Sequence, residues 1–402
     1  MIFSAIKLGS FAKVKGGKRL PKGAQLYDEP TEHPYIRVTD MFSDGLNSLQ
    51  IKYIDQQTHD SISRYTISIH DVYISIAGTI GRVGMVPDTF NGANLTENAA
   101  KITDIDSSFN PRFLMYFLRS YLGQGQIAAK TGGTSQPKLA LYRIEEIDCP
   151  KLPRDMQDEI VLAAKNYDDL IENNRRRIQL LEESARLLYQ EWFVHLRFPG
   201  HEQAKITDGV PEGWDKTTAD NVMDVLSGGT PKTKVPEFWD GEIPFFTPKD
   251  AKGLFTYDTE KTITDLGLSK CNSRLYPKYT VFITARGTVG KLSFAQRPMA
   301  MNQSCYALIA KGEISQEFLY SSLKASIEQF KARASGAVFD AIVVDTFKNI
   351  PFLIPSSSLR DEFTEQVKGV FSQIDNLSIQ NMKLAQARDL LLPKLMSGEL
   401  TV

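Results

Sequence analysis

Asp158-Glu159-Ile160 opens a run that continues without Gly or Pro through Ile171, Ile178, Leu181 and Leu188 to Trp192-Phe193. Apolar or small residues recur at every seventh place. Ala164, Ile171, Ile178, Ala185 and Trp192 form one row, and Tyr167, Leu181 and Leu188 the next. A 3.5-residue repeat makes a seam that another helix must cover. Asn174 falls on the second row, where a single buried Asn fixes coiled-coil register. At ~1.5 Å per residue the run is roughly 57 Å long, well beyond the usual globular helix. One long core helix would explain one such run, but there are two. Asp361-Glu362-Phe363 opens the second, with rows Val367, Ile374, Asn381, Arg388 and Val370, Leu377, Leu384, Leu391. Ile171-Glu172-Asn173 matches Ile374-Asp375-Asn376, 203 residues later. Leu391-Leu392-Pro393 ends this run and Gly398 follows as a stop signal. Two long helices that each want a partner most simply cover each other.

The duplication extends beyond the helices. Lys13-Val14-Lys15-Gly16-Gly17 answers Val225-Leu226-Ser227-Gly228-Gly229. Pro34-Tyr35-Ile36-Arg37-Val38-Thr39-Asp40 answers Pro244-Phe245-Phe246-Thr247-Pro248-Lys249-Asp250. Asp71 to Arg82 answers Tyr279 to Lys291, around a shared Gly-Thr-(Ile/Val)-Gly-(Arg/Lys) core, and Phe113-Leu114 answers Phe318-Leu319. The matches keep one order while their offset drifts slowly, the mark of a tandem repeat with small loop deletions. Each segment before its helix reads as a mixed, β-rich domain. Tyr73, Ser75 and Ala77 alternate with Val72, Ile74 and Ile76, which predicts a half-buried strand, repeated at Val281–Thr284. Short helices are predicted at 111–121 and 316–330. Phe198-Pro199-Gly200 through Trp214 reads as a Pro/Gly-punctuated linker.

Composition sets outer limits. The chain's 402 residues suffice for two or three domains, and 42% apolar with 24% charged residues is ordinary for a folded protein. A net charge of −1 excludes a uniformly basic protein, yet it allows basic faces with acidic backs. Cys149, Cys271 and Cys305 are scattered and odd in number, which points to a reducing compartment. With no signal peptide and no apolar run of ~18 residues, a cytoplasmic protein without a membrane role is expected.

No catalytic constellation emerges. Gly287-Thr288-Val289-Gly290-Lys291 has two residues between its glycines where a phosphate loop needs four, so it reads as a tight turn after a strand. Its glycines allow close backbone approach, and Arg82 or Lys291 then projects from the tip. Asn110-Pro111-Arg112-Phe113 has the outline of an amino-methyltransferase Asn-Pro-Pro-aromatic loop. Its third residue is wrong and no Gly-rich cofactor strand accompanies it, so it reads as a helix N-cap followed by Pro. His33, His59, His70, His195 and His201 lack metal-ligand spacing. Catalytic, cofactor-binding and metal residues are therefore expected to be absent.

The turns carry the chemistry that remains. Lys7, Lys13, Lys15, Lys18, Arg19 and Lys22 lie in a segment without an acid, and Lys232 and Lys234 follow Gly228-Gly229 in the copy. Arg37, Arg82, Lys130 and Lys138 sit in turns of the first half, and Lys249, Arg286, Lys291 and Arg333 in turns of the second. Two readings stand side by side: a solvated surface, or cations that neutralise phosphates while Arg, Asn and Gln read base edges. Thr134-Ser135-Gln136 and its counterpart Ala337 to Asp340 differ in chemistry, as two readers of different sequences would.

The whole chain resembles the specificity (S) subunit of a type I restriction-modification system. The resemblance rests on Gly229-Thr230-Pro231-Lys232-Thr233, Glu237-Phe238-Trp239, Ile243 to Asp250, Arg286 to Gly290, Asp71 to Gly81, Asn94 to Asn98, and the helix ends Arg186 to Phe193 and Leu391 to Leu400. The first half lacks an equivalent of Pro211-Glu212-Gly213-Trp214, which predicts a differently built N-terminal edge.

The resemblance implies an α+β, pseudo-two-fold chain. Two tandem target-recognition domains, 1–152 and 214–355, are separated by two long antiparallel coiled-coil helices, 153–198 and 356–402, with a linker at 199–213. Each domain would read half of a bipartite, asymmetric target in double-stranded DNA. Candidate DNA contacts are Lys18, Arg19, Arg37, Arg82, Thr134, Gln136, Lys138, Lys232, Lys249, Arg286, Lys291, Asn302 and Gln303. The helices would set the spacer and dock two modification (M) subunits that use S-adenosylmethionine; restriction (R) subunits would bring ATP and Mg. The chain itself would be non-catalytic within an assembly acting as a site-specific deoxyribonuclease and adenine-N6 DNA methyltransferase. A protein-binding coiled-coil scaffold and a fused methylase–specificity enzyme are the alternatives.

Overall fold

A computed structural model describes residues 4–42, 45–46, 51–133, 137–333, 342–348 and 350–400. The chain divides into two compact units, residues 1–173 with 380–402, and residues 174–379. The division cuts both long helices, α1 (Arg154–Tyr189) and α2 (Ser357–Ser397).

In the first unit, the central antiparallel sheet runs in the order Lys13–Gly16, Ala99–Thr103, Val72–Ser75, Val83–Gly84. A second sheet orders Lys52–Ile54, His33–Ile36, Ala93–Leu95, Thr66–Ile67, with a parallel pair at its centre. The second unit repeats this plan. Met223–Ser227, Cys305–Ala310, Val281–Thr284 and Leu292–Ala295 form the central sheet, extended by Phe255–Thr256. Trp239–Phe246 pairs in parallel with Ala300–Met301. The duplication read from sequence is thus a duplication of strand order.

The strand Val72–Ser75 is buried along its whole length, not half-buried as its alternation predicts. Val72 and Ile74 join the cluster beneath the helices, while Tyr73 joins the cluster shared with the second sheet. Alternation reveals that two faces differ; it does not reveal that both are covered. The copy Val281–Thr284 behaves alike. The N-terminal edge also departs from expectation. Ala5–Lys7 pairs with Asp148–Pro150 just as Asp215–Thr218 pairs with Pro351–Ile354, so both edges share one construction. Residues 199–213 include a hairpin, Ile206–Thr207 against Val210–Pro211.

The helices pack within each unit. In the first, Ile160, Val161 and Ala164 share a core with Leu392, Leu395 and Met396. In the second, Ala185, Tyr189 and Trp192 share one with Phe363, Val367 and Phe371. The early turns of α1 meet the late turns of α2 and the reverse, so the two run antiparallel. Asn174 is buried on its row. Pro393 does not end α2, which continues to Ser397 before Gly398 (φ 78°) stops it. Burial of Leu392, Leu395 and Met396 outweighs the one backbone hydrogen bond that proline removes. α1 widens into a π turn over Gln190–Val194, where the His195 amide donates to the Gln190 carbonyl at 2.8 Å.

Arg388 occupies a core row of α2 and is 9% exposed at its side chain. It pairs with Asp168 of α1, which also accepts from the Tyr116 hydroxyl at 2.6 Å. Asp168→Ala leaves Arg388 with only the exposed Asp389 and the Tyr116 hydroxyl without its acceptor. Chemical denaturation should show a loss of about 3 kcal/mol, much of it recovered in Asp168→Leu/Arg388→Met. A loss under about 1 kcal/mol would contradict this account.

Candidate nucleic-acid interface

The Gly-Thr-Ile/Val-Gly segments form closed turns. Ser75 ends its strand, and its hydroxyl donates to the Thr79 carbonyl at 2.6 Å while accepting from the Arg82 amide at 2.8 Å. Thr284 does the same with the Thr288 carbonyl and the Lys291 amide. Gly78 and Gly81 have φ of 77° and 86°, and Gly287 and Gly290 have 79° and 80°, values that side chains rarely adopt. The amides of Gly81, Arg82, Gly290 and Lys291 are tied within these turns, as in the tight turn expected from the spacing.

In each unit the topology gathers four loops at one end of the sheets. The Gly17 amide donates to Ala99, Lys18 to Leu95, Thr96 to Ile36 and Ile76 to Asn98. The second unit repeats this through Gly229 to Met301, Asn302 to Phe246 and Ala285 to Ser304. A Cβ on Gly17 would lie 2.1 Å from the Thr96 carbonyl oxygen, and one on Gly228 2.2 Å from that of Asn302. These glycines let the loops close against one another.

Most candidate side chains stand on this end. Lys18 is exposed, its ammonium 5.6 Å from the Tyr65 ring centre. Arg19 is exposed and bonds Glu97 at 2.8 Å. Burial pushes the Glu97 carboxyl up, but hydrogen bonds from Arg19 and Thr96 outweigh it and hold the group below its ordinary range. Arg37 forks onto Asp40 at 3.0 and 2.6 Å. Arg82 does not project from its tip. It folds back onto the carbonyls of Val38 and Met41, with its guanidinium 5.3 Å from the Phe42 ring centre. Both arginines brace the 37–42 loop. Lys138 is exposed and bridges Ala77 beside the turn. Thr134 and Gln136 lie outside the described residues.

In the second unit Arg286 and Lys291 are exposed and make no ion pair among the described residues. Lys232 is exposed and Lys249 stands 3.8 Å from Glu260. Asn302 turns its side-chain oxygen to the Ser304 amide at 3.0 Å, and Gln303 accepts from the Thr230 hydroxyl. The copies thus differ at the tip: Arg82 is bound, whereas Lys291 reaches solvent.

Sequence reasoning passed over the residues that hold these loops. Asp40 and Asp250 are buried, and each accepts a backbone amide three residues back, from Arg37 and Thr247, at 2.8 Å. Their recurrence at matched places in the two halves was the available signal. Ser75 and Thr284 carried a similar one.

Among the described residues no three His, Cys, Asp or Glu side chains are grouped to hold a metal ion. Burial pushes the Cys149 thiol well up and that of Cys305 to about 12, which disfavours the reactive thiolate. No helix among the described residues is long and apolar enough to cross a membrane.

The fold is thus a duplicated, loop-bearing sheet scaffold on two long paired helices. Residues 3–183 and 211–386 match the family model described as type I restriction modification DNA specificity domain, and the chain belongs to that family. It is 30% identical over 337 residues to the type I restriction enzyme HindI specificity subunit of Haemophilus influenzae, covering 68% of this chain and 73% of that one. It is also 30% identical over 195 residues to the MjaIX specificity subunit of Methanocaldococcus jannaschii, covering 47% of this chain and 44% of that relative. A crystal structure of the type I restriction-modification S subunit from M. genitalium shares the fold, at a TM-score of 0.50 and 18% identity over 98% of this chain and 96% of that one.

Gly17→Ala and Gly228→Ala should each destabilise the chain by about 2 kcal/mol or more, because carbonyl oxygens occupy the space. Gly125→Ala, in an exposed helix with nothing within 4 Å, should be neutral or slightly stabilising. Thermal midpoints of the three variants check the contrast.

Proposed function

We propose that the chain is the non-catalytic, DNA-reading subunit of a type I restriction-modification complex. Each unit addresses one half of a bipartite, asymmetric target through the loops at its sheet end, and the helices fix the unread spacer. The observation that carries this reading is the repeated loop-gathering sheet end with different side chains at matched places. One scaffold with two surfaces suits two unlike half-sites, where a symmetric dimer would read a palindrome.

The helices supply the docking surface for two methyltransferase subunits. Leu162 and Leu170 of α1 are exposed eight residues apart, as are Met382 and Leu390 of α2. Leu180 and Leu187 are exposed seven apart. Such spacing keeps each pair on one helix face, the pattern an apolar helical partner covers. The partners would carry S-adenosylmethionine and extrude the target adenine, and restriction subunits would bring ATP and Mg.

Replacing residues 1–150 with the matching segment of another family member should change one half of the target and leave the other intact. Methylation-sensitive sequencing of host DNA reads the outcome, and a change in both halves together would defeat the two-reader model. Inserting one heptad within 171–188, with a matching heptad in α2, should add about 10 Å, or about three base pairs, to the spacer. Altered half-site preference at unchanged spacing would count against the ruler.

A further inference from the structure

Lys15, Arg64, Tyr65, Leu95 and Lys101 line a cavity of about 310 Å³ in the first unit. It lies directly beneath the gathered loops, since Gly16 precedes the Gly17–Lys18 loop and Leu95 precedes the Thr96–Asn98 loop. Its charge is unbalanced. Lys15 and Lys13 share one carboxylate, Asp104, each at 3.3 Å. Lys101 faces the buried Asp71 at 3.3 Å. Arg64 is exposed and makes no ion pair among the described residues. Two carboxylates thus answer the three lining cations, one of them shared with Lys13, and Lys18 stands over the Tyr65 ring.

The second unit builds the matching place differently. By sheet register Leu226, Ala307 and Phe282 take the positions of Lys15, Lys101 and Tyr73, one place off the sequence match in which Ser227 answers Lys15. The Tyr276 ring is buried there, its hydroxyl donating to the Ser227 carbonyl at 2.7 Å, packed with Phe246, Phe282 and Met301. The same scaffold is closed and apolar in one copy, open and cationic in the other. Lys15 and Lys101 stand directly opposite on neighbouring strands, where like charges repel, and Asp104 and Asp71 offset this only in part. A further anion beside them would offset more of it.

We propose that this cavity binds phosphate, and that its occupant is a backbone phosphate of the DNA strand addressed by the first unit's loops. The assignment rests on the DNA-reading function proposed above. It gives the first unit a sequence-independent grip at a place that is apolar in the second.

The test uses the full-length chain with Arg64→Gln and, separately, Lys15→Gln; both leave the Lys101–Asp71 pair in place, and an unchanged thermal midpoint certifies the fold. Binding is measured across salt concentrations on a bipartite duplex that the wild-type chain binds and on a random duplex. Each substitution should lower the steepness of log affinity against log salt by about one, equally on both duplexes. That equals a three- to fourfold smaller loss of affinity between about 50 and 200 mM salt. An unchanged slope in a variant, with wild-type DNA binding intact, overturns the cavity assignment alone. So does inorganic phosphate that binds the wild-type chain and is not displaced by duplex DNA, which marks a free-anion site. A wild-type chain with no salt-dependent DNA binding overturns the reading function, and this assignment with it.

Discussion

Each long helix has an apolar row that water would expose, and the structure is the set of ways those rows are covered. In the first unit Ile160, Val161 and Ala164 are covered by α2 and by the β-rich body. In the second, Tyr189, Trp192 and Phe193 gather Phe318 and Phe363 into tilted and edge-to-face contacts, with ring centres 5 to 6 Å apart. Phenol–carboxylate bonds then fix the bodies to the helices. Tyr116 donates to Asp168 of α1 at 2.6 Å, and Tyr257 to Asp375 of α2 at 2.6 Å. Burial, followed by the neighbouring carboxylate charge and bond, keeps both phenols protonated far above ordinary pH. Raising the pH does not remove the donated phenol protons from these ties.

Much of the fold was legible because it repeats. A seven-residue rhythm over two long runs forces paired helices, and matched segments at a slowly drifting offset force matched sheets. What escaped was whatever depends on a second covering layer. The strand at Val72–Ser75 alternates as a half-exposed strand would, yet packing from both sides buries it. Pro393 looks like an end, yet three buried neighbours carry the helix past it. At the candidate interface, residue type picked out loops that the fold gathers at one end, but it did not say which cations were already engaged. Arg37 and Arg82 are held by nearby oxygens, while Arg286 and Lys291 point to solvent. Only the folded positions of Asp40 and the Val38 and Met41 carbonyls make that distinction.

The two copies show how a duplicated scaffold diverges without losing its form. Hydroxyl-closed turns, glycine contacts and buried aspartates are kept in both. The side chains those features present are not. Tyr276 fills in one copy the space left open beside Lys15 and Lys101 in the other. Backbone-level devices are indifferent to what stands beside them, so the surface is free to vary while the frame stays fixed.

The partition of the chain also bears on its synthesis. The second unit is continuous, residues 174–379, whereas the first needs residues 380–402 to complete it. A ribosome releases residues in order, and domains fold as their segments emerge. The earlier-made unit is then the later to finish: Leu8, Phe113 and Ile160 wait for Leu392, Leu395 and Met396 to close their core.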